Sequence, residues 1–363
     1  MSLYREIRKA LKKNQFVYFW KIRLFDKDYR QNKKDMMYST VKSREQIKRE
    51  MQLIEQYWHC KSLHYVRYRL FEKDLTDDEL LDYIPPYYHY NFYNPPLYNG
   101  LDVKKYDDKY QLDKLFRERD VATPRVVARY FNESLLNLDG AIIDISSLFL
   151  QLNENEKIFI KPVDGAGGTG IVVLKKQGDG FYLKDSRVVD LSSVLDKSRE
   201  YILQLGIKQR KDISQINASS VNTLRVVTQW RDGLPCISVC VMRIGRNNSD
   251  VDNSHQGGLS VQIDVETGKM YKSATAEHGG GLYYAHPDSG FIFDDFVIAE
   301  WEQICKDILV AAEKFKEIPE IAWDVAISDA GVVFIELNLG YGLTHLQCCC
   351  GGMRRKLGVY PKR

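Results

Sequence analysis

The stretch "IAWDVAISDAGVVFIELNLGYG", residues 321–342, predicts a β-hairpin that carries three oxygen-bearing side chains. Two apolar, β-branched runs flank a turn near Asp329–Gly331. Asp324 lies on the first run, and Glu336 and Asn338 share one face of the second because side chains alternate along a strand. Carboxylate and amide oxygens suit an Mg²⁺ ion that also holds phosphate oxygens. The competing interpretation is a carboxylate paired with an arginine, since an unpaired charge is costly to bury.

A second stretch, "IFIKPVDGAGGTGIVVL" at residues 158–174, predicts a strand, a glycine loop and another strand. Gly165, Gly167 and Gly170 match the dinucleotide spacing G-x-G-x-x-G, but that motif opens a helix, whereas a β-branched run comes next here. A P-loop would need Lys and then Ser or Thr after Gly170, and a protein kinase would need H-R-D and D-F-G, which the chain lacks. Backbone amides of such a hairpin can cradle phosphates. A plain glycine-rich hairpin is the alternative.

Two arginines interrupt apolar strands in the segment between these stretches. Arg225 lies in "TLRVVTQW" and Arg243 in "PCISVCVMRIG", and a turn at Asp232–Gly233 pairs the two strands. Arginines on a sheet that also carries carboxylates suit the charge of a phosphoryl group. Asn253 lies in the loop after them.

Together these features resemble the ATP-grasp superfamily. Lys161 precedes a glycine hairpin, arginines lie on later strands, and Asp is followed about a dozen residues later by Glu-x-Asn. The stretches "SSVNTLRVVT", "VDNSHQGG", "HPDSG" and "AWDVAIS…VFIELNLGYG" are more narrowly similar to the sugar-transfer-associated ATP-grasp family, over about residues 105–355.

The resemblance implies an α+β fold in which two α+β lobes hold ATP between them, preceded by a mostly helical N-terminal region. We expect a helical, basic and tyrosine-rich region at 1–100 and an ATP-grasp domain at 101–355. Within that domain we expect a lid lobe at about 125–203 and a C-terminal lobe at about 204–355, with a basic tail at 356–363. The Pro-rich segment "IPPYYHYNFYNPPLYNGLD" before the domain predicts a linker or an irregular wrapping segment.

The resemblance also implies site residues, ATP and Mg²⁺, with two ions in the site and Mn²⁺ as a substitute. Catalytic residues that face the phosphates and the reacting carboxylate would be Arg225, Arg243 and Asn253. The Mg²⁺ ligands would be Asp324, Glu336 and Asn338. The nucleotide would be held by Lys114, Lys161, Gly165, Gly167, Gly168, Gly170, Gln204 and Leu205.

The implied activity is that of an ATP- and Mg²⁺-dependent ligase. Such an enzyme activates a carboxylate as an acylphosphate for attack by an amine, and the family's description implies work in surface polysaccharide or sugar-conjugate biosynthesis. The substrates would be a small-molecule or glycan carboxylate and an amine. Two alternatives stay open: an ATP-grasp kinase that transfers phosphate to a small molecule or sugar, and a nucleotide-binding module without turnover.

Charge is unevenly distributed along the chain. Residues 1–50 hold 15 Lys and Arg against 6 Asp and Glu, a net charge of +9 in a protein whose net charge is +3. Phe16, Tyr18, Phe19 and Trp20 form an aromatic cluster within this basic stretch. One interpretation is a solvated helix that packs one face on the body, and the other is a peripheral foot on an anionic membrane or a membrane-bound glycan-assembly partner. Because the rest of the chain is acidic and shows no recognised motif, we expect no nucleic-acid partner.

Location is predicted from segments that the sequence lacks. No apolar run is long enough to span a membrane and no leader is recognised. Seven cysteines, three of them adjacent at 348–350, fit reduced thiols better than a disulfide framework. We expect a cytoplasmic protein that can lie at the cytoplasmic face of the membrane.

Overall fold

The computed structural model describes residues 14–165, 167–250, 252, 257–276 and 281–361. It consists of a helical N-terminal region followed by two antiparallel seven-stranded sheets. In the described part of the chain, no helix has both the length and the apolar character needed to cross a membrane.

The N-terminal helices begin where the sequence provides capping side chains. Ser43 accepts a hydrogen bond from the backbone N–H of Gln46 at 3.1 Å, and Thr76 forms a reciprocal capping box with Glu79. The helices of this region are Gln15–Phe25, Lys27–Tyr38, Arg44–Trp58, Leu63–Arg67 and Asp77–Leu81, with a 3₁₀ turn at Leu70–Glu72.

Of the two alternatives predicted for the Pro-rich segment, a linker and an irregular wrapping segment, the linker was wrong, because residues 86–97 are helical. The segment contains the short helices Pro86–Tyr88 and Asn94–Leu97, joined by a π-helix at His89–Tyr93. Proline is compatible with the first turn of a helix because the N–H it lacks would have no intrahelical partner there. Tyr87 and Tyr88 are buried, so the segment is part of the core.

The first sheet is built from residues between 126 and 205. Its strand order is β2-β1-β7-β3-β4-β5-β6. The glycine loop joins β3 to β4, which pair antiparallel, so the predicted strand–loop–strand arrangement is confirmed. The strands are β1 (Val126–Phe131), β2 (Ser134–Leu136), β3 (Lys157–Pro162), β4 (Val172–Gln177), β5 (Gly180–Tyr182), β6 (Val188–Val189) and β7 (Tyr201–Leu205).

The second sheet is built from residues between 223 and 338, in the order β12-β11-β10-β9-β8-β13-β14. The hairpin predicted at residues 321–342 is formed by β13 and β14. The strands are β8 (Thr223–Arg231), β9 (Leu234–Ile244), β10 (Leu259–Ile263), β11 (Met270–Ala276), β12 (Leu282–Tyr283), β13 (Glu320–Ser328) and β14 (Gly331–Asn338).

Further helices connect and cover the sheets. Trp301–Lys314 is a helix of 14 residues, whereas Leu191–Val194 is a single turn. The remaining helices are Val103–Asp107, Lys109–Glu118, Ile145–Phe149, Lys211–Ser214, Thr344–Cys350 and Arg354–Leu357. All seven cysteines are free of disulfide bonds.

The second sheet is buried on both faces, because alternate side chains of its central strands belong to two different cores. Val226 and Trp323 contribute to a core with the helix Trp301–Lys314, whereas Val227 and Ala322 contribute to a core with the N-terminal helices. Hydrogen bonds cross the second interface: the Tyr93 hydroxyl donates to Glu320 Oε2 at 2.8 Å, and the Tyr98 hydroxyl donates to the Glu320 carbonyl at 3.1 Å. The N-terminal region therefore packs directly on the sheet that carries the candidate site.

Candidate active site

A cavity of about 530 Å³ is lined by residues of both sheets and of the N-terminal region. Its volume falls within the range of small-molecule sites, about 300–1,000 Å³. The lining includes a set of charged and amide side chains that we call the charged centre: Lys109, Lys161, Arg225, Arg243, Asp252, Asp324, Glu336 and Asn338.

Asp324 lies at the middle of the charged centre because three adjacent strands bring polar residues into register. On β13 it is opposite Arg225 of β8 on one side and Glu336 of β14 on the other. Arg225 binds it in a bidentate manner, with Nε at 2.5 Å from Oδ1 and Nη2 at 2.8 Å from Oδ2. Arg243 Nη1 lies 3.1 Å from the same Oδ2. Burial would raise the pKa of Asp324, but the two guanidinium groups hold that pKa well below its usual range.

Arg243 joins Asp324 to a second buried carboxylate, Asp252. Arg243 is opposite Thr223 across the β8–β9 pair, and its Nη2 lies 3.5 Å from Asp252 Oδ1. Asp252 Oδ2 accepts hydrogen bonds from both the backbone N–H of Thr223, at 3.1 Å, and its hydroxyl. Burial raises the pKa of Asp252 although Arg243 opposes that shift. Each arginine is therefore neutralised by carboxylates in this state of the protein.

Glu336 and Asn338 stand beside Asp324 on β14. A β-bulge between Asp324 and Val325 brings Ile335 as well as Glu336 into the cavity lining. The side chain of Glu336 is one-third exposed. Asn338 Nδ2 donates to the Ala322 carbonyl at 3.3 Å and lies 3.4 Å from Asp324 Oδ2. These contacts use the amide nitrogen of Asn338, and its Oδ1 is the atom that could bind a metal.

This donor set fits a divalent cation that arrives with phosphate oxygens. Two carboxylates and an amide oxygen are hard ligands of the kind that Mg²⁺ prefers. In the part of the chain that the structure describes, no cluster of three His, Cys, Asp or Glu side chains could hold a metal. Phosphate oxygens of a bound nucleotide would complete the coordination shell of such a metal.

Lys161 and Lys109 bring positive charge to the glycine loop. Lys161, at the end of β3, lines the cavity, and burial lowers its pKa to about 8 although Glu336 opposes that shift. Lys109 Nζ donates to the Gly165 carbonyl and lies 3.4 Å from Glu336 Oε1. Lys109 thus links the glycine loop to the strand that carries the candidate metal ligands.

Within the loop, Gly167 and Gly168 line the cavity. Both have positive φ, as does Gly170 at +77°, a conformation that residues with a side chain rarely adopt. Gly165 and Gly170 support the turn instead: a Cβ at either position would stand 3.2 to 3.3 Å from atoms of Pro162.

Part of the cavity lining is apolar and includes residues of both sheets. Gln204 and Leu205 of β7 line it, and Phe159 pairs with Gln204 across the β3–β7 ladder. The other apolar side chains of this part are Leu112, Phe116, Ile171, Ile207 and Ile335. A flat aromatic base would be enclosed by such surfaces, and Gln204 offers an amide to its edge.

Three predicted site residues are absent from the cavity lining: Lys114, Gly165 and Gly170. Lys114 lies on the outer face of its helix, with a side chain 57% exposed and paired with Glu118 at 3.7 Å. Asn253 lies outside the described residues. The structure brings Lys109 to the cavity instead, and helical spacing from the buried residues Leu112 and Phe116 would have found it. Asp252, one residue before Asn253, was also missed, because nothing in a loop sequence marks a buried carboxylate.

The other predicted residues surround the cavity: those in its lining are Lys161, Gly167, Gly168, Gln204, Leu205, Arg225, Arg243, Asp324, Glu336 and Asn338. Their roles stay predictions, because geometry alone assigns no function.

Comparison of the sequence with models of protein families shows which family the chain belongs to. The family described as sugar-transfer associated ATP-grasp matches residues 89–357. The chain belongs to this family. The predicted ATP-grasp fold, two α+β lobes after a mostly helical N-terminal region, is confirmed.

Solved structures that resemble the chain include ATP-grasp ligases, at low sequence identity. D-alanyl-alanine synthetase A from Vibrio cholerae O1 biovar eltor is 12% identical with a TM-score of 0.39, over 71% of this chain and 61% of that one. Biotin carboxylase from Campylobacter jejuni is 11% identical with a TM-score of 0.39, over 68% and 43%. The D-alanine-D-alanine ligase from Coxiella burnetii is 11% identical with a TM-score of 0.39, over 70% and 56%. The chain thus spans less than two thirds of the length of each, and no curated protein matches it.

Proposed function

We propose that the protein is an ATP- and Mg²⁺-dependent ligase that joins a carboxylate to an amine. The observation that carries the proposal is the charged centre, where Arg225 and Arg243 meet Asp324 and Glu336 beside an apolar pocket. Phosphoryl transfer needs positioning and neutralisation of charge more than it needs a covalent nucleophile. The centre offers both, since Arg225, Asp324 and Glu336 are held in register on neighbouring strands and Lys109 and Lys161 line the same cavity.

In the first step, Lys161, Lys109 and the amides of the glycine loop bind the phosphates of ATP. Arg225 and Arg243 exchange part of their pairing with Asp324 for the γ-phosphate and the substrate carboxylate. A carboxylate oxygen attacks the γ-phosphorus, the bond between that phosphorus and the β–γ bridging oxygen breaks, and ADP leaves. The product is an acylphosphate, and the arginines neutralise the negative charge that builds up between the two reacting anions.

In the second step, the amine nitrogen attacks the acyl carbon and the carbon–oxygen bond to phosphate breaks. Inorganic phosphate leaves and the nitrogen loses a proton. Asp324, Glu336 and Asn338 would hold the Mg²⁺ ions, which supply charge neutralisation at the transferring phosphoryl group. Glu336 is the ligand best placed to bind metal, because its ion pair with Lys109 is partly exposed, whereas Asp324 is held by two buried arginines.

The test is the dependence of ADP release on substrates. Purified protein with Mg-ATP would be screened with uronic acids, nucleotide-linked uronic acids and amino acids, crossed with amino acids and amino sugars as amines. Repeated turnover to ADP by a ligase needs both an acid and an amine, because the acylphosphate formed with the acid alone allows only about one ADP per site until an amine removes it. Repeated turnover with a single hydroxyl compound or a single acid, with the phosphate recovered on that compound, would instead establish a kinase, and tight ATP binding without any release would indicate a binding module.

We also propose that this ligase works in the cytoplasm and acts in surface polysaccharide or sugar-conjugate biosynthesis, and the biosynthetic role is supported by the family's description alone. A peripheral membrane foot is supported by the first described helix. Phe16, Trp20 and Leu24 recur every four residues on that helix, are 69%, 41% and 54% exposed, and lie in the basic N-terminal stretch. Apolar side chains beside basic ones suit an anionic lipid surface.

Vesicle co-sedimentation tests the membrane foot. Wild-type protein is expected to sediment with vesicles that contain phosphatidylglycerol and to stay in solution when the vesicles are neutral. The double variant Phe16→Ser, Leu24→Ser should lose that binding and keep its ADP release. Equal binding of both proteins would reject the foot, and so would an unchanged membrane fraction after deletion of residues 1–35.

A further inference from the structure

Besides the charged centre and the apolar residues, the cavity has a wall that the N-terminal region forms. Tyr18, Arg67, Pro86 and Tyr90 line the same cavity as the charged centre. They come from the first described helix, the helix Leu63–Arg67 and the Pro-rich segment. The lining beside them is completed by Tyr341, Gly342, Thr344 and His345, the residues that come after the candidate metal-binding strand.

This wall lies close to the charged centre. A Cβ at Gly342 would stand 3.1 Å from the Tyr90 hydroxyl, and one at Gly340 would stand 3.2 Å from Asn94 Nδ2, so the chain after β14 runs against the Pro-rich segment. Gly342 is the fourth residue after Asn338, and that length of chain spans at most about 14 Å. A small molecule could therefore touch the wall and reach the charged centre at the same time.

The wall offers a cation among aromatic rings. Arg67 has a side chain only 12% exposed, and its Nη2 lies 3.2 Å from Asp26 Oδ2. Burial alone would lower the pKa of Arg67, but the acidic groups around it raise that pKa, so it stays charged. Burial also raises the pKa of Tyr18 to about 12, so this ring keeps its proton at neutral pH. Tyr90 lies in the π-helix, a distortion often found at functional sites.

We propose that this wall, which we call the N-terminal subsite, binds the substrate other than ATP, and that this substrate is an acidic sugar. The assignment rests on the proposed ligase function. Arg67 pairs with the carboxylate or phosphate of the sugar, because a planar guanidinium carries several donors suited to such anions. Tyr18 and Tyr90 pack against the apolar face of the ring, and their hydroxyls reach its polar edge.

Binding to the full-length protein tests the subsite without knowledge of the complete reaction. Isothermal titration would first measure Mg-AMPPNP, and then D-glucuronate, glucose 6-phosphate and neutral glucose in its presence. We expect at least one of the two acids to bind wild-type protein, and whichever binds identifies the anion as carboxylate or phosphate. Arg67→Met should weaken that binding by roughly 10- to 100-fold, the usual effect of losing a charged hydrogen bond, and leave Mg-AMPPNP affinity unchanged.

Matched variants separate the subsite from general damage. Arg69→Met removes a nearby guanidinium that pairs with Asp35 and Glu72 and is absent from the cavity lining. This variant should therefore bind Mg-AMPPNP and the acidic sugar as the wild type does. Tyr90→Ala changes a side chain that is 46% exposed, which favours normal folding, and should weaken the acid about fivefold or more.

Three results would overturn the subsite: neither acid binds, glucose binds as tightly as the acids, or Arg67→Met and Tyr90→Ala both bind like wild type. If the wild-type protein did not bind Mg-AMPPNP, the proposed ligase function would be rejected, and not only the subsite.

Discussion

The pairing of Asp324 with two arginines predicts that this residue contributes more to stability than its neighbour Glu336. Asp324 is buried, with a side chain 7% exposed, and is bound by Arg225 at 2.5 and 2.8 Å and by Arg243 at 3.1 Å. The substitution Asp324→Asn removes the charge and leaves two buried guanidinium groups undercompensated. Breaking a buried pair in this way costs about 3–5 kcal/mol. For a chain of 363 residues, that loss corresponds to a Tm lower by about 4–7 °C.

Glu336→Gln is the matched control. Its side chain is one-third exposed and its charged contact, Lys109, lies 3.4 Å away, so the loss is expected to be about 1 kcal/mol or less. Both variants should lose turnover by about 100-fold or more, because each removes a carboxylate charge from the candidate metal site. Differential scanning calorimetry and ADP release measure the two effects separately. Equal Tm values for the two variants would refute the structural role of the arginine pairing, and normal turnover in Glu336→Gln would refute the metal assignment.

Two further predictions concern the phosphate-binding side of the cavity. Lys161, with a pKa of about 8, should lose its charge as pH rises. The affinity of the wild type for Mg-AMPPNP, measured by isothermal titration, should therefore weaken about tenfold by pH 9, and the affinity of Lys161→Met should show no such change. Because the unfolded chain keeps this proton up to about pH 10.4, the wild type should also gain stability between pH 8 and 10 in urea melts, a gain that Lys161→Met lacks. Gly170→Ala, at a φ of +77°, should weaken nucleotide binding about 5- to 30-fold, whereas Gly178→Ala, at a φ of +52° in a turn outside the cavity lining, should leave titrated affinity unchanged.

The sequence could predict those parts of the site that depend on short-range patterns. A polar residue in a β-branched run is conspicuous, so Arg225, Asp324 and Glu336 are recognisable in the sequence alone. Their assembly depends on the alternation of side chains along strands and on two short turns. The glycine hairpin is equally local, because the β-branched residues after Gly170 decide between strand and helix. The division of the domain into 125–203 and 204–355 stays a prediction.

The rest of the site depends on contacts between distant segments. The choice of Lys114 over Lys109 ignored which face of the helix carries Leu112 and Phe116. The Pro-rich segment was misread because proline was taken to break helices, whereas burial of Tyr88 stabilises a helical path. Neither the pairing of Asp252 with Arg243 nor the wall built by the N-terminal region leaves a local pattern in the sequence.

The charges of the site suggest the order in which its ligands bind. Lys109, Lys161, Arg225 and Arg243 oppose Asp252, Asp324 and Glu336 in the charged centre, which makes its formal charge about +1. A positive centre disfavours free Mg²⁺ and favours Mg-ATP, an anion. Both oxygens of Asp324 are also occupied by guanidinium groups until phosphates compete for them.

Metal is therefore expected to enter with the nucleotide and not before it. Electron paramagnetic resonance of Mn²⁺ checks this order: the spectrum of the free ion should persist when protein alone is added and should broaden only when ATP is added next. Glu336→Gln makes the centre more positive and should weaken the ternary complex without creating a binary one. Tight binding of Mn²⁺ to the nucleotide-free wild type would show that Asp324 is not held by its arginines in solution, and the stability difference expected between Asp324→Asn and Glu336→Gln would then disappear as well.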